Sequence, residues 1–330
     1  MVLSNNFSGS GNKMRDTILK ELWQYKGEYV SGNELAAKLG ISRVAVWKHI
    51  EALKEEGYDI RGVSGKGYCL QNTDNIIISS EITGRLKNRL IGNQVISLSK
   101  VDSTNQVCKQ MIKNKQISEG AVIVAAEQLN GKGRLGRKWD SPSGGLWFSL
   151  LLSPALPVSE LPLLSLVFSI AVSHGLSKFT QVPCQIKWPN DVYLDGKKIA
   201  GILLELSGEL DGIENVIVGI GINVNIKPNH LPEIATSLYE HSTQKINLAD
   251  VLVEVLQEIE KVYNEFLANG FSSLSDRFQS ACFHLGKEVQ VQQGLKKVCG
   301  INIDIDEMGR LVVQTADGIV RVSTGDVSII

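Results

Sequence analysis

The chain has few cysteines, and their spacing suits neither a zinc module nor a disulfide framework. It contains five of them in 330 residues, an odd number, and no two form a CxxC pair. Disulfide-rich scaffolds and zinc modules depend on such pairing, so both classes are disfavoured. Free thiols persist in a reducing compartment, and the sequence therefore predicts a cytoplasmic protein.

The sequence also lacks a long uninterrupted apolar run. Between residues 146 and 176 Glu160 is the only acidic or basic residue apart from a histidine, but prolines and serines interrupt the stretch. A membrane helix needs about 20 consecutive apolar residues. We therefore predict a buried strand, Leu146–Leu152, then a buried helix, Leu161–Phe179, and no membrane segment. The opening MVLSNNFSGSGNK lacks the apolar core of a signal peptide and has the composition of a flexible tail.

An excess of charge of one sign is absent as well. Lys and Arg total 34 against 35 for Asp and Glu, which gives a net charge of −1. This balance excludes a globally basic nucleic-acid binder but is compatible with a local basic patch. Hydrophobic residues make up 43% of the chain, which is enough to bury a core. At about 150 residues per domain, the length predicts two or three domains.

The first 70 residues carry the pattern of a winged helix-turn-helix, to which we assign residues 14–72. The order is helix, helix, turn, helix, and then YDIRGVSGKGYCL, which predicts a hairpin. Ser42 is suited to cap the third helix. Arg43, Trp47 and Lys48 lie away from the apolar stripe of that helix, so we expect this segment to contact DNA in the major groove. Protein contact is the alternative use of such a domain.

The rest of the chain divides into a central block, 78–276, and a terminal block, 278–330. Apolar runs in the central block predict buried strands, and a long helix begins near Asn247 and ends at Gly270. Strand and helix do not alternate regularly, which favours an α+β domain over a doubly wound one. Short strands separated by Gly, Asp and Asn turns predict a small antiparallel barrel in the terminal block.

The segment GKGRLGRKW, at 131–139, is the strongest chemical signal. It matches GxGxxG, but no helix start follows it, and the Lys-Ser/Thr pair of a P-loop is missing. Its glycines let backbone N–H groups approach an anion, and its cations neutralise phosphate or carboxylate oxygens. The segment predicts a site for a polyanionic small molecule or for two anions. A solvated loop that binds nothing is the alternative.

Two further segments contain the residue types of ligand-binding loops. KWPND offers Lys187 for phosphate and Asp191 for Mg²⁺, and Lys198 precedes the apolar strand that follows. VDSTNQ, at 101–106, offers hydroxyls and an amide for a neutral polar group. Each segment alone is more often structural. Serine hydrolase and histidine metal motifs are missing, which favours a reaction without a protein nucleophile.

Taken in order, the winged helix, DSTN, GKGRLGRKW, KWPND, KKIAGILLE, GIGINVN and the terminal β unit resemble the family of bifunctional biotin–protein ligases and biotin operon repressors. The resemblance covers residues 14–330. It implies an α+β multidomain chain: an N-terminal winged helix-turn-helix, a central α/β adenylating ligase domain of the class II synthetase-like type, and a C-terminal SH3-like β-barrel.

The resemblance also implies an activity. The enzyme would be a biotin–[acetyl-CoA-carboxylase] ligase that uses ATP and Mg²⁺ to form biotinyl-5′-AMP from biotin. It would then transfer biotin to a lysine of the biotin carboxyl carrier protein. The adenylate-bound homodimer would bind operator DNA and repress biotin-synthesis genes, with biotinyl-5′-AMP as corepressor.

Residue by residue, the resemblance implies candidates for catalysis and for the binding of each ligand. The implied catalytic residues are Lys198, Arg134 and Lys187. The implied biotin contacts are Ser103, Thr104, Asn105, Gln128, Lys132, Gly133, Arg134 and Lys198, and the implied nucleotide contacts are Arg137, Trp139, Asn190 and Asn223. Asp191 is the candidate Mg²⁺ ligand, and Ser42, Arg43, Trp47 and Lys48 are the candidate DNA contacts.

In one place the chain departs from the family, which usually has GRGR where this chain has Lys132. A lysine keeps the charge there but loses the planar fork that holds a carboxylate or phosphate with two hydrogen bonds. Three alternatives stay open. They are a lipoate–protein ligase, a transcription factor that senses a ligand without catalysis, and a Rossmann dehydrogenase, which would need a helix after Gly136.

Overall fold

The computed structural model describes residues 9–25, 27–55, 58–71, 76–86, 89–209, 212–242 and 244–330. The N-terminal unit consists of α1 (Gly9–Gln24), α2 (Gly32–Leu39), α3 (Arg43–Glu55), β1 (Ile60–Val63) and β2 (Gly67–Leu70). The two strands pair antiparallel. This order confirms the predicted winged helix-turn-helix.

Local signals set the limits of the first helices. Ser31 accepts a hydrogen bond from the Glu34 N–H at the start of α2, and Gly40 ends that helix in the left-handed conformation. Ser42 Oγ accepts from the Ala45 N–H at 3.2 Å, as expected of the cap of α3. The prediction of a flexible tail up to residue 13 is wrong from Gly9 onwards, because α1 begins there. The earlier residues lie outside the described ranges.

The central unit is a mixed seven-stranded sheet. Its strands are β3 (Val95–Val101), β4 (Val122–Gln128), β5 (Leu146–Leu152), β6 (Gln185–Lys187), β7 (Asp191–Leu194), β8 (Lys197–Glu209) and β9 (Gly212–Ile222), in the spatial order β3-β4-β5-β9-β8-β7-β6. Only β3 and β4 run parallel among these neighbours. The sheet is therefore not the doubly wound parallel sheet of a Rossmann dehydrogenase.

Helices cover both faces of this sheet. They are α4 (Ser79–Arg85), α5 (Thr104–Lys113), α6 (Leu163–Ser177), α7 (Leu248–Asn269) and α8 (Ser275–Ala281). α6 and α7 contribute to the large core on one face, and α5 to a smaller core on the other. α6 is shorter than the helix predicted over 161–179, since Pro162 and Lys178 flank it. Within the described ranges, no helix has the length and apolar content needed to cross a membrane.

The terminal unit is a five-stranded antiparallel sheet. Its strands are β10 (Glu288–Gln293), β11 (Lys296–Ile305), β12 (Leu311–Thr315), β13 (Gly318–Val322) and β14 (Asp326–Ile329), in the order β13-β12-β11-β10-β14. The first and last strands of the unit are neighbours, as in an SH3-like barrel. β14 was not predicted. All five cysteines of the chain are free thiols, of which Cys299 on β11 is exposed and the others are buried.

Among the described residues, hydrogen bonds of Asp16 and Tyr58 join the winged helix to the central unit. Asp16 on α1 accepts hydrogen bonds from the Ser79 and Ser80 N–H groups, at 3.1 and 2.8 Å, and so caps the start of α4. Tyr58 Oη lies 3.4 Å from both the carbonyl oxygen and the hydroxyl of Ser97, which lies on the edge strand β3. Neither Asp16 nor Tyr58 lies on α3.

Candidate functional site

A cavity of about 380 Å³ opens beside the central sheet, between the glycine-rich segment and strands β7, β8 and β9. It brings together every candidate site residue of the central block. Its lining includes Ser103, Thr104, Asn105, Gln128, Lys132, Gly133, Arg134, Arg137, Trp139, Lys187, Asn190, Asp191, Lys198 and Asn223. The three segments singled out in the sequence therefore meet at one site.

One end of the cavity is buried, neutral and polar. The Thr104 N–H and hydroxyl both donate to Gln128 Oε1, at 2.8 and 3.1 Å. Ser149 Oγ lies 2.7 Å from Thr104 Oγ1 and 2.5 Å from Asn105 Oδ1. Ser103 is buried at the start of α5. Such a set of hydroxyls and amides offers both donors and acceptors to an uncharged polar group.

A carboxylate outside the predicted set supports this end. Glu205 on β8 accepts from Asn105 Nδ2 at 2.6 Å and from Lys109 Nζ at 2.9 Å. Burial raises the pKa of Glu205, but the hydrogen bonds from Lys109 and Asn105, together with the charges of Lys109 and Lys132, hold the pKa below its ordinary value. The ionised carboxylate therefore fixes the orientation of the Asn105 amide. Gly219 leaves room for that amide, since a Cβ there would lie 2.5 Å from Asn105 Oδ1.

The glycine-rich segment forms a loop closed by its own backbone. The Trp139 N–H donates to Gly131 O at 2.9 Å, and the Gly133 N–H donates to Arg137 O at 2.8 Å. At its tip Leu135 and Gly136 both have positive φ, 57° and 72°. After a single three-residue turn the backbone is extended rather than helical, as predicted. The loop therefore presents backbone N–H groups and cations to the cavity instead of opening a dinucleotide-binding helix.

Two arginines of this loop reach other parts of the chain. Arg134 Nη1 donates to Asn190 Oδ1 at 3.0 Å, and Asn190 Nδ2 donates to Ile202 O at 2.9 Å. Asp326, on β14 of the terminal unit, forms an ion pair with Arg137 and lies 4.0 Å from Arg134. Lys132 is exposed at the rim of the cavity. The loop is thus held in place from both the central and the terminal units.

The remaining cations stand opposite the loop. Lys198 Nζ lies 2.7 Å from Asp191 Oδ1 and 4.9 Å from the centre of the Trp139 ring, over its face. Lys187 Nζ donates to the Tyr193 hydroxyl at 3.2 Å. In the part of the chain that the structure describes, no group of three or more His, Cys, Asp or Glu side chains could hold a metal ion. Asp191 is thus paired with a lysine at this site.

Two nucleotide-side candidates make contacts of different kinds. The Asn223 side chain donates to Thr236 O at 3.0 Å, so its amide is partly engaged within the protein. The Trp139 indole lies over Gly201 and Gly221, and its buried Nε1 has no hydrogen-bond partner among the described residues. An unpaired buried donor is costly unless a ligand accepts from it.

Sequence reasoning missed Ser149, Glu205 and Asp326. Ser149 lies inside an apolar strand, where a single serine carries no pattern. Asp326 is 189 residues from its partner Arg137, and only tertiary structure brings them together. An acidic residue in a short terminal strand offers no signal of its own.

The candidate DNA contacts occupy the outer face of α3. Arg43, Trp47 and Lys48 are all exposed, and 51% of the Trp47 surface is accessible. Val46, Ile50 and Leu53 on the opposite face are buried, as their spacing predicts. A half-exposed tryptophan between two cations is suited to contact a partner rather than to form a core.

Comparison with known proteins agrees with this arrangement. Three family profiles match the chain: "Biotin/lipoate A/B protein ligase family" over residues 98–223, "HTH domain" over 15–69 and "Biotin protein ligase C terminal domain" over 284–329. The "Bifunctional ligase/repressor BirA" of Bacillus subtilis (strain 168) is 36% identical over 325 residues, which cover 96% of this chain and 100% of the relative. This chain belongs to the BirA family of bifunctional ligase/repressors.

Other members of the BirA family match as well. The protein of the same name from Escherichia coli (strain K12) is 32% identical over 302 residues, covering 89% of this chain and 91% of the relative. A solved structure, "Biotin protein ligase from Aquifex aeolicus in complex with biotin and ATP", is 38% identical with a TM-score of 0.64. It covers 72% of this chain and 98% of that one. These matches confirm the family resemblance that the sequence motifs indicate.

Proposed function

We propose that this chain is an ATP-dependent biotin–[acetyl-CoA-carboxylase] ligase that also acts as a biotin-responsive repressor. One observation carries the proposal. A buried neutral polar pocket and a cationic glycine-rich loop face each other across one cavity. Biotin has a neutral ureido ring at one end and a carboxylate at the other, and ATP adds a polyanion. The cavity suits both together.

The polar end is assigned to the biotin ring. Ser103, Thr104, Asn105 and Gln128 supply hydroxyl and amide groups there. The loop residues Lys132, Gly133 and Arg134, with Lys198 opposite, are assigned to the carboxylate end, where charge must be neutralised. Arg137, Trp139, Asn190 and Asn223 are assigned to the nucleotide.

The first reaction step joins two anions. A carboxylate oxygen of biotin attacks the α-phosphorus of ATP, the bond from that phosphorus to the bridging oxygen breaks, and pyrophosphate leaves with biotinyl-5′-AMP formed. Lys198, Arg134 and Lys187 reduce the repulsion between the reactants and stabilise the charge on the transferring phosphorus. Their contacts with Asp191, Asn190 and Tyr193 hold them in position before the ligands arrive.

Mg²⁺ fits this site as an ion that accompanies the nucleotide. Mg²⁺ commonly binds one or two carboxylates together with substrate phosphates, and Asp191 is the carboxylate that would hold it here. When bound, the ion supplies positive charge to the phosphates. The protein's own share of that task falls to the cations of the loop and to Lys198.

In the second step a lysine amine of the biotin carboxyl carrier protein attacks the acyl carbon of biotinyl-5′-AMP. The bond from the acyl carbon to the phosphate oxygen breaks, AMP leaves, and the amine loses a proton to give the amide. No covalent bond to the enzyme is needed. Positioning and charge are the enzyme's contributions.

The repressor function is assigned to the winged helix. Ser42, Arg43, Trp47 and Lys48 would contact operator DNA, and the adenylate-bound chain would bind two half-sites as a homodimer. Ordering of the glycine-rich loop on the ligand would shift the monomer–dimer equilibrium. We place the units at 14–72, 78–276 and 278–330, and the protein in the cytoplasm, where free thiols persist.

Biotin-dependent exchange of labelled pyrophosphate into ATP, with Mg²⁺ and without carrier protein, tests the ligase. We expect exchange that requires biotin and is not supported by lipoate. Biotin binding without exchange would favour a sensor without catalysis, and exchange with lipoate alone would favour a lipoate ligase.

Adjacent lysines provide a matched pair of variants for the same assay. Lys198 lines the cavity, whereas Lys197 is exposed beside it. We expect Lys198→Met to lower the exchange rate by about 100-fold or more, as for other preorganised cationic or hydrogen-bonding groups. Lys197→Met should exchange at the wild-type rate. Equal effects of the two changes would contradict the role of Lys198.

A further inference from the structure

His284 is a fully buried histidine that no part of the proposed chemistry uses. It follows α8 and precedes β10, and its exposed fraction is 0%. A buried imidazole is normally retained because both of its nitrogens have partners. Its partners lie in both the terminal unit and the central unit, so His284 connects the two.

The hydrogen bonds of His284 define its protonation. Nε2 accepts from the Trp188 backbone N–H at 3.0 Å and therefore carries no proton. Nδ1 lies 2.9 Å from the side-chain amide of Asn302. In the orientation in which Nδ2 of Asn302 donates to the carbonyl oxygens of Asp304 and Val312, Oδ1 of Asn302 accepts a hydrogen bond from Nδ1–H. Asn302 thus holds the imidazole in the neutral Nδ1–H form.

The acceptor nitrogen of His284, Nε2, contacts the KWPND segment at Trp188, the second residue of the segment. Two neighbouring contacts from the terminal part of the chain reach the same place. The Phe283 N–H donates to Ile186 O at 2.8 Å, and the Trp188 indole donates to Gly309 O at 2.9 Å. A segment between two strands of the central sheet is thus anchored from outside that sheet.

The anchored segment supplies three of the groups that line the cavity. Lys187 precedes Trp188 in the chain, Asn190 accepts from Arg134, and Asp191 pairs with Lys198. A displacement of the segment would move both of these contacts. Misplacement by about 1 Å far from the reacting atoms is enough to cost about 100-fold in rate.

We propose that His284 is a positioning residue, whose acceptor nitrogen fixes the KWPND segment and so the Arg134 and Lys198 contacts needed for adenylate formation. The inference rests on the proposed ligase function. It assigns the terminal unit a part in the reaction that does not require His284 to touch a substrate.

The experiment measures kcat and KM for ATP in the biotin-dependent exchange assay, with the full chain. His284→Leu removes the acceptor, and His284→Gln supplies a carbonyl that accepts and an amide that donates. We expect kcat/KM to fall about 10- to 100-fold in the leucine variant. The glutamine variant should recover most of that loss. Equal activity of the leucine variant and the wild type overturns the proposal.

Val313→Ala is the matched control for a loss of stability. Val313 is fully buried on β12, in the five-stranded sheet of the terminal unit. This variant should lose unfolding free energy but keep the wild-type kcat/KM. If Val313→Ala is as stable as His284→Leu and loses as much kcat/KM, the role of His284 is only structural. Exchange by the wild type verifies the ligase function separately, so the two failures are distinguishable.

Two further measurements test the proposal independently of the single variants. In an Asn190→Ala background the His284→Leu change should lower kcat/KM much less, because both changes act on the contact between Asn190 and Arg134. If the two losses of kcat/KM simply multiply, His284 does not act through that contact, and the proposal is overturned. The ¹⁵N spectrum of the wild-type imidazole needs no variant. We expect the Nδ1–H form at pH 7, and an Nε2–H form would overturn the proposal even if the leucine variant failed to fold.

Discussion

Arg134 connects the glycine-rich loop to Asn190 and approaches Asp326, so its side chain stabilises the loop and adds charge to the cavity. Arg134→Gly removes both contributions. A hydrogen bond to a charged group contributes about 1.5–3 kcal/mol. We expect biotinyl-5′-AMP to dissociate about 10- to 100-fold faster, measured by dilution of the labelled adenylate complex.

Arg61→Gly is the control, since it removes an exposed arginine from the hairpin of the winged helix. It should leave adenylate release unchanged. Thermal unfolding should show that Arg134→Gly remains folded, because a surface loop contributes little to the core. An unfolded Arg134→Gly, or one with wild-type release, would contradict the assignment.

His284 also makes a pH prediction. Burial, together with the positive charges of Lys187 and Lys287, lowers the pKa of His284 to about 4. The Cys282 thiol lies 3.5 Å from its Nδ1. In the unfolded chain the pKa is near 6.5. The unfolded state therefore binds more protons between these values, so this part of the stability is present above pH 6.5 and is lost as pH falls towards 4.

Urea unfolding at pH 7 and pH 4.5 measures this loss. The shift corresponds to a loss of about 2–3 kcal/mol of unfolding free energy at the lower pH. His284→Gln has no titrating group there, so its loss should be smaller by that amount. The carboxylates of the chain titrate equally in both proteins. Equal losses of unfolding free energy in the two would therefore exclude protonation of His284 as the cause.

At the scale of elements, two glycines in register on neighbouring strands make room for one indole. Gly201 on β8 pairs with Gly221 on β9, and Trp139 lies over both. A Cβ at Gly221 would come within 2.5 Å of Trp139 Nε1, so the ring must move, and Lys198 packs on that ring. Overpacking of this kind costs about 1–3 kcal/mol.

We therefore expect Gly221→Ala to weaken ATP binding by about 5- to 100-fold, measured by calorimetry with biotin present. Gly84→Ala, in α4, is the control, because a Cβ there meets open space. That change should leave affinity unchanged and should slightly stabilise the chain, as alanine does in helices. Wild-type affinity in Gly221→Ala would show that Trp139 does not border the nucleotide.

Elements with local signals could be predicted to the residue. The limits of α2 follow from Ser31 and Gly40, and the apolar run of β5 matches the predicted Leu146–Leu152. Asn247 caps α7 as its side chain and position suggest. The start of α1 was predicted wrongly, since glycine, serine and asparagine disfavour a helix that nevertheless continues through them.

The site could be predicted less completely. All candidate residues of the central block line the cavity, because each lay in a segment dense in polar groups. Asp326 and His284 could not be found, since Arg137 and Trp188, which they contact in the central unit, are about 100 residues or more away in sequence. The Lys198–Asp191 pair was also missed, because the hairpin that joins the two residues was not resolved from sequence.

At the scale of the whole molecule, the two proposed activities occupy separate surfaces. The winged helix contacts the central unit through Asp16 and Tyr58, whereas Trp47 and Lys48 are exposed on α3. We expect Trp47→Ala combined with Lys48→Ala to weaken operator binding more than tenfold, measured by gel shift with biotin and ATP. Loss of a side-chain contact to a DNA base costs about 1–3 kcal/mol.

Pyrophosphate exchange by this double variant should equal that of the wild type. Lys20→Ala, which removes an exposed lysine from α1, should change neither activity. Operator binding that does not depend on biotin and ATP would remove the corepressor role. A loss of exchange in the double variant would instead show that the two activities are not separable.

The distribution of thiols has a practical consequence for following the molecule in solution. Burial raises the pKa of Cys108 to about 12 and those of Cys184 and Cys282 to about 11, so these thiols react slowly. Cys69 is also buried, whereas Cys299 is exposed on β11. A maleimide dye should therefore attach to the native chain at one place. Its fluorescence would report, with no substitution at all, whether the terminal unit shifts when nucleotide enters.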